Sequence, residues 1–241
     1  MDWTLQEVCL QGQEISDLWT IKDSKRLVRR VTSKHNVLIL GSSQSRESVD
    51  LNQCAKWRVD VINRRTGGGS IFLTPTNLLW VDFIITRGDV LWDDDIHRSS
   101  LWVANTWKVA LEALISTPLT IASQVSQKSD LEKSFCFAGT SIGELVFESR
   151  KLVGISQRRT RDKCIFSTGI YVTYDTDLHS RLFLLSRDQR IEASNHLRSS
   201  MVTLSELYKN SQAQIDETGK PDAAKLHDLV WNHLTRVLPN I

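Results

Sequence analysis

The stretch Arg64-Arg65-Thr66-Gly67-Gly68-Gly69-Ser70, followed by Asn77-Leu78-Leu79-Trp80-Val81-Asp82-Phe83-Ile84-Ile85, decides the fold. The second run is rich in strand formers and predicts a strand in the middle of a sheet. The first is a glycine-rich connection between two predicted strands. Three consecutive glycines permit positive φ and close backbone approach. Consecutive N–H groups can then form an anion-binding concavity, here flanked by two guanidinium groups. It is not a P-loop, because no Lys-Ser/Thr follows, and it is not G-x-G-x-x-G. A flexible hairpin tip is the bland alternative. The paired arginines before it and the buried-looking strand after it favour a site for phosphate or carboxylate.

Working outward, Val37-Leu38-Ile39-Leu40 closed by Gly41-Ser42-Ser43 predicts a buried strand ending in a turn. A short helix over 48–57 and a strand over 58–62 lead into the glycines. Asp93-Asp94-Asp95 offers an N-cap and an acidic first turn. Val103, Trp107, Ala110, Leu111 and Leu114 follow at helical spacing, and Pro118 ends that helix. Three strands are predicted over 144–147, 151–156 and 164–172. From Asp175 onward the pattern is helical, the last helix carrying Leu226, Val230, Leu234 and Val237 on one face. The basic cluster Lys25, Arg26, Arg29 and Arg30 reads as a solvated helix face. Runs of strands with helices before and after predict an α+β fold with a mixed, largely antiparallel sheet.

The length, 241 residues, fits one large domain or one domain with a small C-terminal appendage. A composition of 41% hydrophobic and 24% charged residues is that of an ordinary globular protein. A net charge of +2 is too balanced for a nucleic-acid or membrane-surface binder. The four cysteines, Cys9, Cys54, Cys136 and Cys164, form no C-x-x-C pair, which argues against zinc ribbons and thioredoxin-like sites, and no metal is expected. Residues 1–7 have neither a basic nor an apolar leader character, and no apolar run is long enough to span a bilayer. The expectation is a cytoplasmic protein with reduced thiols.

Lys151 opens a largely apolar strand, and Gly154 permits tight approach three residues later. An ammonium held there could fix an acyl carbonyl and a neighbouring phosphate oxygen, but taken alone the stretch reads as an edge strand with solvated charges. Gly139-Thr140-Ser141-Ile142-Gly143 fits the nucleophile elbow of α/β-hydrolases. That elbow must leave a strand and enter a helix, whereas another strand is predicted after it, so the match is a decoy. Cys136, between Phe135 and Phe137, reads by itself as core filler.

Together these residues resemble the catalytic domain shared by lipoate–protein ligases, biotin–protein ligases and octanoyl transferases, over roughly residues 37–172. Arg64, Arg65, Gly67, Gly68, Gly69 and Ser70 are similar to the family's Arg-Arg, Gly-Gly-Gly signature, which lines the acyl and acyl-adenylate pocket. Lys151-x-x-Gly154-x-x-Gln157 resembles the element whose lysine contacts the acyl carbonyl and phosphate. Gly41-Ser42-Ser43-Gln44 fits a Gly-x-x-Gln turn, and Asn77 stands where the glycine-rich strand returns. The chain departs from the family at two places. Ile71-Phe72-Leu73-Thr74 lacks the histidine common after the triple glycine, and Ser167-Thr168-Gly169 replaces a His-Gly. The Gly-Arg-Gly-Arg run of biotin ligases is absent.

The resemblance implies a catalytic domain over 1–185 with a C-terminal helical extension over 186–241. It also implies acylation of a lysine on a lipoyl-carrier domain of a 2-oxoacid dehydrogenase or of the glycine cleavage H protein. In the ligase branch, placed first, lipoate or octanoate is joined to AMP using ATP and Mg²⁺. In the transferase branch an acyl thioester serves without ATP. The acyl group then passes through Cys136, whose order and spacing with Phe137, Glu144 and Lys151 match the cysteine class. A third reading is a diverged acyl-binding protein that kept the pocket without turnover.

Overall fold

The computed structural model describes residues 3–10, 26–127, 129–208 and 222–239. Its strands are β1 (Thr4–Leu10), β2 (Arg26–Ser33), β3 (Asn36–Leu40), β4 (Val59–Asn63), β5 (Ile71–Leu73), β6 (Leu78–Thr86), β7 (Thr120–Ile121), β8 (Leu145–Phe147), β9 (Arg150–Arg159) and β10 (Lys163–Tyr171). Its helices are α1 (Leu51–Lys56), α2 (Ile96–Ser99), α3 (Leu101–Ile115), α4 (Asp130–Lys133), α5 (Thr176–Arg181), α6 (Arg187–Ser200), α7 (Leu204–Tyr208) and α8 (Ala223–Arg236). A seven-stranded sheet runs β1-β2-β6-β10-β9-β8-β7, and a three-stranded sheet runs β4-β3-β5. Among the pairs of described strands only β1/β2 and β3/β4 are parallel. The fold is therefore α+β with a mixed, largely antiparallel sheet.

Strand β6 is an interior strand, paired by β2 on one side and β10 on the other. Its period-two alternation separates two cores. Leu79, Val81, Phe83 and Ile85 pack with Val103, Trp107 and Leu111 of α3 and with Leu226, Val230 and Leu234 of α8. Leu78 and Trp80 face the opposite side, with the small sheet and Phe135, Phe137 and Tyr171. Met201 enters this second core, and Val202 and Leu204 the first, so residues after α6 share both cores with the sheet. Asp95 caps α2 through His97 N and Arg98 N, and α3 ends at Ser116 in a left-handed conformation, before Pro118.

The basic cluster corrects the sequence reading. Residues 26–33 form strand β2, not a helix face, and Lys25 lies outside the described residues. Arg26 is buried against Asp89 at 2.7 Å and Arg29 against Asp82 at 2.8 Å. Arg29 stands opposite Asp82 in the β2/β6 ladder. The acids that neutralise these cations lie more than fifty residues away, and no local charge pattern shows them.

Candidate active site

A cavity of about 240 Å³ opens on the Trp80 face of the large sheet. Sheet register explains the hollow. Gly169 of β10 stands directly opposite both Gly154 of β9 and Trp80 of β6. Two adjacent strands thus place no side chain there, leaving room beside the Trp80 and Leu78 side chains. Trp80 is held through its indole N–H, which donates to Asp82 Oδ1 at 2.8 Å. The same oxygen accepts from Ser167 Oγ at 2.7 Å.

A β-bulge puts Lys151 at this cavity. Val146 pairs with Lys151 while Leu145 pairs with Val153, so Leu152 is the extra residue in β9. Strict alternation would put Leu152 on the face of Gly154. The bulge shifts the phase: Leu152 joins the helix-side core, and Lys151 Cε comes within 3.1 Å of where a Cβ on Gly154 would stand.

The glycine loop forms the opposite wall. Its glycines answer different needs: Gly68 has a φ of 97°, whereas a Cβ on Gly67 would meet nothing within 4 Å. A Cβ on Gly69 would lie 2.4 Å from Phe135 C and 2.6 Å from Cys136 N, so that strip of backbone tolerates no side chain. Gly69→Ala is therefore expected to cost about 1–3 kcal/mol, read as a lowered urea midpoint, while Gly67→Ala stays near wild type. Arg64 is buried, and its Nη2 donates to the carbonyls of Gly67 and Gly69, both at 2.9 Å. Its guanidinium thus braces the loop from inside. Arg64 Nε and Thr66 Oγ1, on two buried residues that line the cavity, have no hydrogen-bond partner.

Three groups carry the electrostatics. Lys151 Nζ lies 2.6 Å from Glu144 Oε1 and donates to Cys136 O at 3.0 Å and to Gly139 O at 3.5 Å. It sits 4.9 Å from the centre of the Phe137 ring. Glu144 accepts in addition from Ser141 N at 2.7 Å and Ile155 N at 3.3 Å. Lys151 and Glu144 are 2% and 4% exposed, so this is a buried ion pair. The half-buried Cys136 lines the cavity with its Sγ 3.9 Å from Arg64 Nη2. Burial alone would push its thiol up. The Lys151 ammonium and then the Arg64 guanidinium outweigh burial and the opposing Glu144 charge, holding it below the ordinary value. Cys54 and Cys164 differ sharply: burial pushes each up to about 11.

The structure gathers Arg64, Gly67, Gly68, Gly69, Cys136, Lys151 and Gly154 around one cavity. It leaves four other sequence candidates outside the lining. Arg65 is exposed. Asn77 closes the β5–β6 turn, its side chain bonding Thr74 N and Phe72 O. Gln157 donates to Ile96 O and accepts from Ser99 Oγ, tying β9 to α2. Ser70 lies beneath the loop, its N donating to Ser134 O and its O accepting from Cys136 N. Ser141 is exposed and leads into strand β8, as expected for a decoy elbow. Sequence reading did not single out Trp80 or Gly169. Their common signal is cross-strand register, which appears only once β6, β9 and β10 are aligned.

Among the described residues no group of three or more His, Cys, Asp or Glu side chains could hold a metal, and Glu144 is engaged by Lys151. None of the described helices is long and apolar enough to cross a membrane.

Residues 2–221 match the family model of the lipoyl protein ligase A/B catalytic domain. An octanoyltransferase LipM from Carboxydothermus hydrogenoformans is 27% identical over 184 residues, covering 73% of this chain and 65% of that protein's length. In structure, the chain is similar to a bipartite lipoate protein ligase from Thermoplasma acidophilum, described with its E2 lipoyl domain. Identity there is 16%, coverage is 98% of this chain and 82% of that one, and the TM-score is 0.67. A lipoate-protein ligase A bound with ATP is similar at 16% identity, 98% and 84% coverage and a TM-score of 0.63. With residues 2–221 of the 241 matched, the chain belongs to the lipoyl protein ligase A/B catalytic domain family.

Proposed function

We propose that this chain transfers an octanoyl or lipoyl group from a thioester donor to a lysine of a lipoyl-carrier domain, through an acyl-enzyme on Cys136. One observation carries this reading: the Cys136 thiol lines the cavity 3.9 Å from Arg64 Nη2, and the Lys151 and Arg64 charges hold it below its ordinary value. The cations themselves are already engaged. Lys151 binds Glu144 and two carbonyls, and Arg64 Nη2 binds two loop carbonyls. A cavity of about 240 Å³ is below the roughly 300–1,000 Å³ of drug-sized sites. It suits a short unbranched acyl chain.

Cys136 Sγ attacks the thioester carbonyl, the carbonyl C–S bond to the donor breaks, and the donor leaves as thiolate. The acceptor amine then attacks the acyl carbon, the bond to Cys136 breaks, and the amine's proton passes to water. Cys136 returns to the thiolate held by Lys151 and Arg64. The acceptor is of the lipoyl-carrier class, such as the lipoyl domain of a 2-oxoacid dehydrogenase or the glycine cleavage H protein.

The ligase reading, with ATP and Mg²⁺ joining lipoate or octanoate to AMP, is supported by the unpartnered Arg64 Nε and Thr66 Oγ1, which suit an anion. The described side chains offer no cluster for Mg²⁺, which would have to arrive on the nucleotide phosphates. The test incubates the protein and an acceptor domain with either octanoyl thioester alone or octanoate plus ATP and Mg²⁺, followed by intact-mass spectrometry. Acceptor modification from the thioester without ATP is the expected result. Modification only with ATP would overturn the proposal in favour of the ligase. Ligand binding without modification in either arm would leave the non-catalytic binder.

A further inference from the structure

His179 of α5 reaches the underside of the glycine loop from outside the sequence motifs. Its Nε2 lies 2.9 Å from Ser70 Oγ, and its Nδ1 is hydrogen-bonded to the Tyr174 hydroxyl. Ser70 Oγ also lies 2.8 Å from Ser134 O, which can only accept. One proton arrangement satisfies all three groups. Tyr174 donates to Nδ1, Nε2–H donates to Ser70 Oγ, and Ser70 donates to Ser134 O. The reverse tautomer would leave the Tyr174 hydroxyl proton without an acceptor. Phe135 packs edge-on at 5.1 Å, with Phe72 at 5.8 Å and Phe183 at 6.1 Å between ring centres. Burial pushes the imidazole down to about 3, so it stays neutral and keeps one tautomer throughout the neutral range.

Ser70 is where the two halves of the site are joined. Its N and Oγ both bond Ser134 O, its carbonyl accepts from Cys136 N at 3.0 Å, and Gly69 before it packs on the Phe135–Cys136 backbone. The glycine loop carries the Arg64 contacts, and the segment after α4 carries the sulfur.

We propose that His179 is a positioning residue for Cys136, acting through Ser70 to keep the sulfur registered against Arg64 and Lys151. The functional part of this inference rests on Cys136 as the acyl-accepting nucleophile. The groups facing Cys136 are Arg64 before the glycine loop, Lys151 on β9, Glu144 before β8, Tyr171 on β10 and Tyr174 after it. The tyrosines are pushed up by burial and stay neutral near pH 7. The thiol therefore responds to its distance from the two cations, and His179 controls that distance without touching it.

The test follows alkylation of Cys136 by iodoacetamide against pH, resolved by peptide mass spectrometry, in wild type, His179→Leu, His179→Gln and Ser70→Ala. His179→Leu is expected to slow alkylation at pH 7 about tenfold, as a midpoint displaced upward by about one pH unit requires. In His179→Gln the carboxamide can donate to Ser70 and accept from Tyr174, so the rate is expected to stay within about threefold of wild type. Ser70→Ala is expected to resemble His179→Leu, with little further loss in the double variant. A cooperatively folded His179→Leu with a wild-type profile would overturn the proposal, as would effects of the two variants that simply multiply. Should His179→Leu not fold, Ser70→Ala decides: a wild-type profile there overturns it equally. No acyl donor is present, so failure of the transfer assay cannot be confused with failure of this one.

Discussion

Cys136→Ser is expected to lower thioester-dependent acylation of the acceptor by on the order of 10³-fold or more, while leaving the fold intact. The substitution is nearly isosteric, and the hydrogen bond between the sulfur and Arg64 Nη2, at 3.9 Å, is long. What is lost is the nucleophile. A serine hydroxyl beside Lys151 and Arg64 has no neighbouring base to deprotonate it, because the one nearby carboxylate, Glu144, is bound to Lys151. Wild type incubated with octanoyl thioester in the absence of acceptor should gain the mass of one octanoyl group, on the peptide containing Cys136. Pre-incubation at lower pH adds a signature. Because the cations hold the thiol below its ordinary value, acylation should persist as pH falls from 9 through neutrality, further than an unperturbed cysteine allows. Equal activity of Cys136→Ser and wild type with ATP and octanoate would instead favour the adenylate route.

Much of the fold was legible because its elements announce themselves locally. The 77–85 run became interior strand β6, the helix-spaced Val103, Trp107, Ala110 and Leu111 became the buried face of α3, and the Asp175 N-cap begins α5. β2 was not legible. A strand carrying Arg26, Arg29 and Arg30 looks solvated until Asp89 and Asp82 are brought beside two of them, and partners fifty or sixty residues away leave no mark on a local pattern. The site divides in the same way. Arg64 and the glycines stood out because a glycine run after paired arginines is unusual in any context, whereas Lys151 stood out only through the family resemblance. Gly169, Trp80 and the phase shift that aims Lys151 depend on register between strands. Asn77 and Gln157 matched motif positions, yet their side chains are occupied by turn and helix contacts outside the cavity. Motif membership and contact with the cavity are separate properties.

Lys151→Met is expected to destabilise the protein by about 3–5 kcal/mol, and adding Glu144→Gln should recover most of that loss. The reason is the charge left behind. In the single variant Glu144, 4% exposed, is left without its cation and with the Ser141 and Ile155 amides as its remaining hydrogen-bond donors. Glutamine removes that charge while its carbonyl oxygen can still accept from an amide, so the pair of substitutions costs far less than the sum of the singles. Urea unfolding of wild type, both singles and the double reads this directly; additive losses would refute the coupling. The sign with pH follows from Lys151. Burial alone would lower its ammonium, but Glu144 and then Cys136 outweigh that and raise it above its ordinary value. Its contribution is therefore fully present below about pH 10.4 and is lost only as pH rises through the higher folded value. The stability gap between wild type and Lys151→Met should accordingly not shrink from pH 6 to 9, and should widen as pH rises through the range where the lowered Cys136 thiol ionises. Activity separates from stability here. The recovered double variant still lacks the cation that favours the Cys136 thiolate, so it should fold like wild type and alkylate slowly at pH 7. An active double variant would show that Lys151 serves the fold alone, and would leave Arg64 as the group that activates the sulfur.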